Sequence, residues 1–185
     1  MKYQFQVSLT EDDYLAFNLF HALRSPYGAK NTMRIRILTD LILVLFVAIL
    51  FIFDGVNVVT VMAAVAMLIY IIVVHLCYKR ILTSTIRRTI KAQKKKGKVA
   101  FSPLSTMEFF EDHLVESTEE NRTEQKYTVV ERISVVENRY VYLHTNNIMA
   151  YIIPMASFSS REEYDSFLTF AKENISENIN FYEKI

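Results

Sequence analysis

From Leu41 to Cys77 the chain is almost continuous hydrocarbon, broken only at Asp54-Gly55-Val56-Asn57. A bilayer core of about 30 Å accepts roughly 20 such residues as one helix. Val56 to Cys77 meets that length, and of its clearly polar members Asn57 and His75 fall near the ends while Thr60 lies one turn in. The first run is weaker. Leu41 to Phe53 has only the length of a buried core helix, and it reaches a span by extending back to Ile37 across Asp40. The expected spans are therefore 37–53 and 56–77, a transmembrane hairpin over 37–77 whose turn is too short to hold a domain. Both ends of the chain then lie on one side of the bilayer.

A carboxylate deep in hydrocarbon costs about 2.5 to 3.5 kcal/mol on insertion scales, and much less near the headgroups. Arg36 lies four residues before Asp40, on the same helical face. The spacing favours an interfacial carboxylate paired with Arg36. The alternative is an intramembrane proton or ion site, which nothing else in the spans supports.

Orientation follows from the basic residues. Lys30, Arg34 and Arg36 precede the first span, nine basic residues follow the second, and the turn carries only Asp54. Both termini are expected to be cytoplasmic, in a multi-pass protein of the cell membrane. The first apolar run begins too far into the chain for a secretory signal. The lone Cys77 forms no internal disulfide and suits a reducing compartment.

Charge is divided along the chain. The overall +1 hides a net +9 over residues 78–98 and a net −8 over residues 99–185. Leu82, Ile86 and Ile90 recur every fourth residue, so 78–98 reads as a basic juxtamembrane helix continuing the second span until Gly97. Each Lys or Arg near an anionic leaflet gains about 1 kcal/mol. Lys79, Arg80, Arg87, Arg88, Lys91, Lys94, Lys95 and Lys96 are thus the candidate lipid-headgroup residues, although a cluster that only sets topology has the same composition. Nucleic acid is disfavoured, because the acidic neighbouring region repels phosphate.

Residues 99–185 read as a cytoplasmic β-rich domain. Expected strands are Ser105 to Phe110, Leu114 to Thr118, a long Tyr127 to Glu137, Tyr140 to Thr145 and Ile148 to Ile153, with Pro154 as the stop. A helix starts at Ser160-Arg161-Glu162-Glu163, a capping box, with Tyr164, Phe167, Leu168, Ala171 and Ile175 on one face. An antiparallel β-meander closed by a C-terminal helix has the plan of pleckstrin-homology-like domains, a likeness of fold and not of function. In residues 1–36, Tyr3, Phe5, Val7 and Leu9 alternate with polar residues. This strand needs a partner and is expected to join an edge of the same sheet. Thr10 to Arg24 reads as a helix capped by Thr10, with Pro26-Tyr27-Gly28 beyond its end. The fold class is an α+β membrane protein.

Several short segments carry a resemblance: Tyr127 with Val130-Glu131-Arg132-Ile133, Tyr140-Val141-Tyr142-Leu143, Tyr151-Ile152-Ile153-Pro154, and Phe158-Ser159-Ser160-Arg161-Glu162-Glu163-Tyr164. The last two, a strand ending in Ile-Pro and then a Ser-capped helix, are the most characteristic. They resemble the YcxB-like family of small bacterial membrane proteins. That resemblance implies an N-terminal cytoplasmic segment, two adjacent spans and a C-terminal YcxB-like domain, and it brings no catalytic residues. Met155 stands where the family usually has a basic residue, which weakens any charge-based role there.

The residues suggest no reaction. His21, His75, His113 and His144 are isolated from ligands at metal-site spacing, and His144 reads as an ordinary surface residue. Gly28, Gly55 and Gly97 punctuate segment boundaries and form no phosphate loop. Cys77 reads as a small hydrophobe. Glu119-Glu120 and Glu162-Glu163 read as a turn and a first helical turn. No catalytic residue, metal or cofactor is expected. The expected function is a non-enzymatic membrane module whose acidic domain contacts a protein partner with a basic patch, or its own copies as a homo-oligomer. The alternative is sensing of anionic lipid through the basic segment and the domain.

Overall fold

The computed structural model describes residues 1–97 and 101–184; Lys98, Val99, Ala100 and Ile185, and the readings that fall on them, lie outside the described residues. The chain begins with strand β1 (Tyr3–Ser8) and helix α1 (Glu11–Leu23). Thr10 caps α1 in a capping box with Asp13. Ser25 immediately caps α2 (Pro26–Asp54), with Pro26 in its first turn. Pro26-Tyr27-Gly28 therefore opens the next helix and is not a loop, because the Ser25 hydroxyl accepts from the Gly28 amide and completes the cap. A Cβ on Gly28 would stand 1.8 Å from the His21 carbonyl oxygen, so only glycine allows α1 and α2 to meet this closely.

After α2 the chain turns at Gly55, whose φ of 70° suits glycine. Asn57 and Thr60 then cap α3 (Val58–Lys95) reciprocally. Helix α3 runs unbroken through the basic segment and ends before Gly97, at φ 68°. The most apolar windows of α2 and α3 have mean hydropathies of 2.7 and 2.6, yet only 6% of each is buried within the protein. Exposed apolar surface of this extent marks a surface that meets a membrane or another protein. Both helices are long and apolar enough to cross a membrane.

Strands β2 (Leu104–Phe109), β3 (His113–Ser117) and β4 (Arg122–Lys126) join β1 in an antiparallel sheet of order β1-β2-β3-β4. Strands β5 (Arg132–Val136), β6 (Tyr140–His144), β7 (Ala150–Pro154) and β8 (Ile179–Tyr182) form a second sheet of order β7-β6-β5-β8, in which β5 and β8 run parallel. The N-terminal strand takes the edge position expected of it, with Phe5 opposite Met107 and Val7 opposite Ser105. Since β1 precedes the hairpin and β2 follows it, this pairing requires the chain to return to the side from which it left.

The strands differ from the sequence reading in three places. Tyr127–Val129 is a 3₁₀ turn at the corner between the sheets, so Tyr127 to Glu137 is not one strand. The Tyr127 hydroxyl donates to the Phe110 carbonyl at 2.9 Å and pins that corner. Strand β4 was not expected, because Arg-Thr-Glu-Gln-Lys has no apolar alternation, and neither was β8. Helix α4 (Arg161–Asn174) is capped by Ser160, but Glu163 reaches the amide of Ser159.

Helix α4 closes the main core between the sheets. Its Phe167 meets Phe5 and Phe109 at 5.1 and 4.9 Å, and Phe158 meets Phe5 at 4.6 Å. Each such ring contributes about 1.5 to 3 kcal/mol by leaving water. In β5 and β6 every residue is buried. Ile133, Val135, Val141 and Leu143 face this core, whereas Val136, Tyr140 and Tyr142 pack against Phe17 and Phe20 of α1. The second sheet is covered on both faces, and that positions the polar groups described next.

Candidate functional site

Helix α1 is the joint of the molecule. Phe17 and Phe20 lie on the second sheet, while Leu15 and Leu19 lie on Ile90, with Leu82 and Ile86 alongside. The apolar stripe of the basic segment is thus taken up by α1 and does not face headgroups. Two of the eight candidate lipid residues are paired as well. Lys94 donates to Glu11 at 2.6 Å and Arg87 to Asp12 at 3.2 Å. The Lys94 hydrogen bond and charge, with Lys91 adding, hold the Glu11 carboxyl below its ordinary range. Lys79, Arg80, Arg88, Lys91, Lys95 and Lys96 are exposed, and helical spacing puts Arg88 and Lys95 on the face away from the stripe.

At the base of the hairpin, Asp40 meets His75 at 3.4 Å. Arg36, the partner expected from spacing, instead lies over the Tyr78 ring at 4.5 Å. Helix pairing overrides the local contact because α3 presents both partners to α2 at matching levels. These two contacts tie the helices together where the apolar run begins.

Under α1 lies a buried polar group that sequence reasoning missed. His144 is fully buried, contrary to the surface position expected, because Phe17 and Phe20, more than 120 residues earlier, lie near it. Arg132 reaches His144 Nδ1 at 3.4 Å, and His144 Nε2 meets Ser134 Oγ at 3.1 Å. Burial, the Arg132 charge and His21 push His144 down to about 3. His21 is also lowered, by burial and by Arg132. A serine beside a neutral histidine has the composition of a nucleophile and its base. Here Ser134 is only 1% exposed, so no substrate reaches it in this arrangement. At the other end of α1, Tyr140 donates to Asp13 at 2.8 Å. Burial alone would raise the Asp13 carboxyl; the Thr10 and Tyr140 hydrogen bonds and the Arg139 charge outweigh it and hold the carboxyl low.

One open cleft, of about 470 Å³, lies where β7 of one sheet approaches β3 and β4 of the other. Tyr14 of α1 lines it, stacked on Phe101 at 5.1 Å, together with Met107, Tyr151 and Ile152. Glu116 of β3 enters this largely apolar space. Burial pushes its carboxyl up, against a hydrogen bond from Ser105. Burial and the Glu116 charge also raise the Tyr151 phenol. Among the described residues, no cluster of three or more His, Cys, Asp or Glu could hold a metal ion.

These features define an α+β protein with a candidate membrane hairpin and an antiparallel β-domain closed by a helix. Residues 109–171 match the family model described as YcxB-like protein, so the C-terminal domain is YcxB-like from the end of β2 through most of α4. No curated protein and no solved structure matches the chain. The matched residues contain every segment that carried the resemblance, while β1, α1 and the hairpin lie outside them.

Proposed function

We propose that the protein is a non-enzymatic, membrane-anchored module whose β-domain contacts a protein partner at the cytoplasmic membrane surface. The observation that carries this reading is the double-sided packing of α1, which holds the domain in a fixed position beside the basic segment. The acidic turn residues Glu111, Asp112, Glu119 and Glu120 remain exposed. A partner with a basic patch would be drawn to them, with charge setting encounter rate and specificity more than affinity. Anionic lipid is the second reading, favoured by the exposed Arg88 and Lys95. It has less support, since Glu11 and Asp12 occupy two of its cations and α1 occupies its apolar stripe.

The test is to purify the tagged full-length protein in gentle detergent at low salt beside a Glu119→Lys, Glu120→Lys variant. A protein partner that stays with the unaltered chain and leaves the variant is expected. A partner indifferent to charge reversal, or recovery of the chain with nothing but lipid, overturns the reading. Retention of anionic lipid that depends on Arg88 and Lys95 would transfer the conclusion to the second reading.

A further inference from the structure

We infer that the cleft between the two sheets is a binding site for a small amphiphilic amine, whose ammonium group pairs with Glu116 and whose apolar body lies against Tyr14, Phe101 and Ile152. This goes beyond the adaptor reading and does not depend on it. Its volume of about 470 Å³ falls within the range of small-molecule sites, about 300 to 1,000 Å³. Such sites are mostly apolar with a few converging polar groups. Here the converging groups are the Glu116 carboxylate with Thr123 and Gln125 of β4, and the rest of the lining is chiefly aromatic and aliphatic.

The carboxylate fixes the sign of the ligand. Glu116 lies on the same face of the first sheet as Met107, its register partner, and so points toward the interior. It is half-buried, and no ion pair to it is present among the described residues. A partly desolvated carboxylate is costly unless a cation or donor compensates it, and the single Ser105 hydrogen bond does so only in part. An ammonium group would supply the missing charge. An anion is excluded by Glu116 itself and by the net −8 of the surrounding region. The remainder of the ligand must be apolar, because the walls offer few other polar groups to satisfy it.

The experiment uses the full-length chain in phosphatidylcholine nanodiscs, with empty nanodiscs as the partition control. The probes are 4-phenylbutylamine, its neutral isostere 4-phenylbutanol and the anion 4-phenylbutyrate, followed by saturation-transfer NMR and titration. Saturable binding of the amine is expected, at least tenfold tighter than the alcohol, with no binding of the acid. Glu116→Gln should bring amine and alcohol to equal affinity. Thr123→Trp, directly opposite Glu116 on β4, should fill the cleft and weaken both. Equal binding of amine and alcohol to the unaltered chain, an amine affinity unchanged by Glu116→Gln, or no signal above empty nanodiscs would each overturn the assignment. None of these outcomes bears on whether a protein partner is retained in the charge-reversal experiment.

Discussion

His144 shows how far a single side chain can depend on remote sequence. The fold holds it neutral, at about 3, against about 6.5 in an unfolded chain. The unfolded state therefore binds the extra proton between these values. The stability that His144 confers is complete above about pH 6.5 and is lost as pH falls toward 3. His144→Asn keeps a hydrogen-bonding side chain and removes this titration. Thermal unfolding from pH 7 to pH 4 should fall less steeply in that variant; parallel curves would show that His144 is not desolvated as described. The surface expectation fails because His144 ends a β segment beside the Asn146-Asn147 turn, a place where a side chain is usually exposed. Nothing local announces that α1 will cover it. The caps were legible for the opposite reason: Thr10 with Asp13 and Ser160 before α4 act within one turn of chain.

Among the elements, α1 carries the widest consequence, since it holds the second sheet on one side and α3 on the other. Two kinds of contact join it to α3, and their weights differ. The ion pairs from Glu11 and Asp12 are exposed, and exposed pairs contribute little. Leu19 is 9% exposed against Ile90, and deleting such a side chain costs about 2 to 5 kcal/mol. Hydrogen exchange of α1 should therefore accelerate strongly in Leu19→Ala and only slightly in a Glu11→Lys, Asp12→Lys variant. The reverse order would make the joint electrostatic and sensitive to salt. The helices and most strands were legible in their hydrophobic periods. Strand β4 was not, because an exposed edge strand can be wholly polar. The cleft was hidden more deeply, since Tyr14, Phe101, Glu116 and Ile152 belong to separate segments with no shared motif.

For the whole molecule, the testable property is topology. The distribution of basic residues predicts that both ends are cytoplasmic, and the β1–β2 pairing independently requires β1 and β2 to share a side. In a Cys77→Ala background, Asn57→Cys should react with a membrane-impermeant thiol reagent applied to intact cells. Glu120→Cys should react only after the cells are opened. Labelling of both from outside, or of Glu120→Cys alone, would reject the orientation. The charge division was readable at this scale, but its use was not: the sequence suggested a basic juxtamembrane helix whose cations meet lipid headgroups, whereas α1 supplies its own carboxylates to two of them.

The pairing of β1 with β2 also has a consequence in time. Tyr3–Ser8 is made early, and its partner Leu104–Phe109 follows about 100 residues later. At roughly 5 to 20 residues per second, the first strand waits about 5 to 20 seconds for its neighbour. In that interval Phe5 and Val7 have no sheet to enter. Were only one of the two helices to cross a bilayer, β1 would lie on the opposite face from β2, β3 and β4. The β1–β2 pair thus forms only where both helices cross or neither does, and the first strand is the part of the chain that waits for its partner.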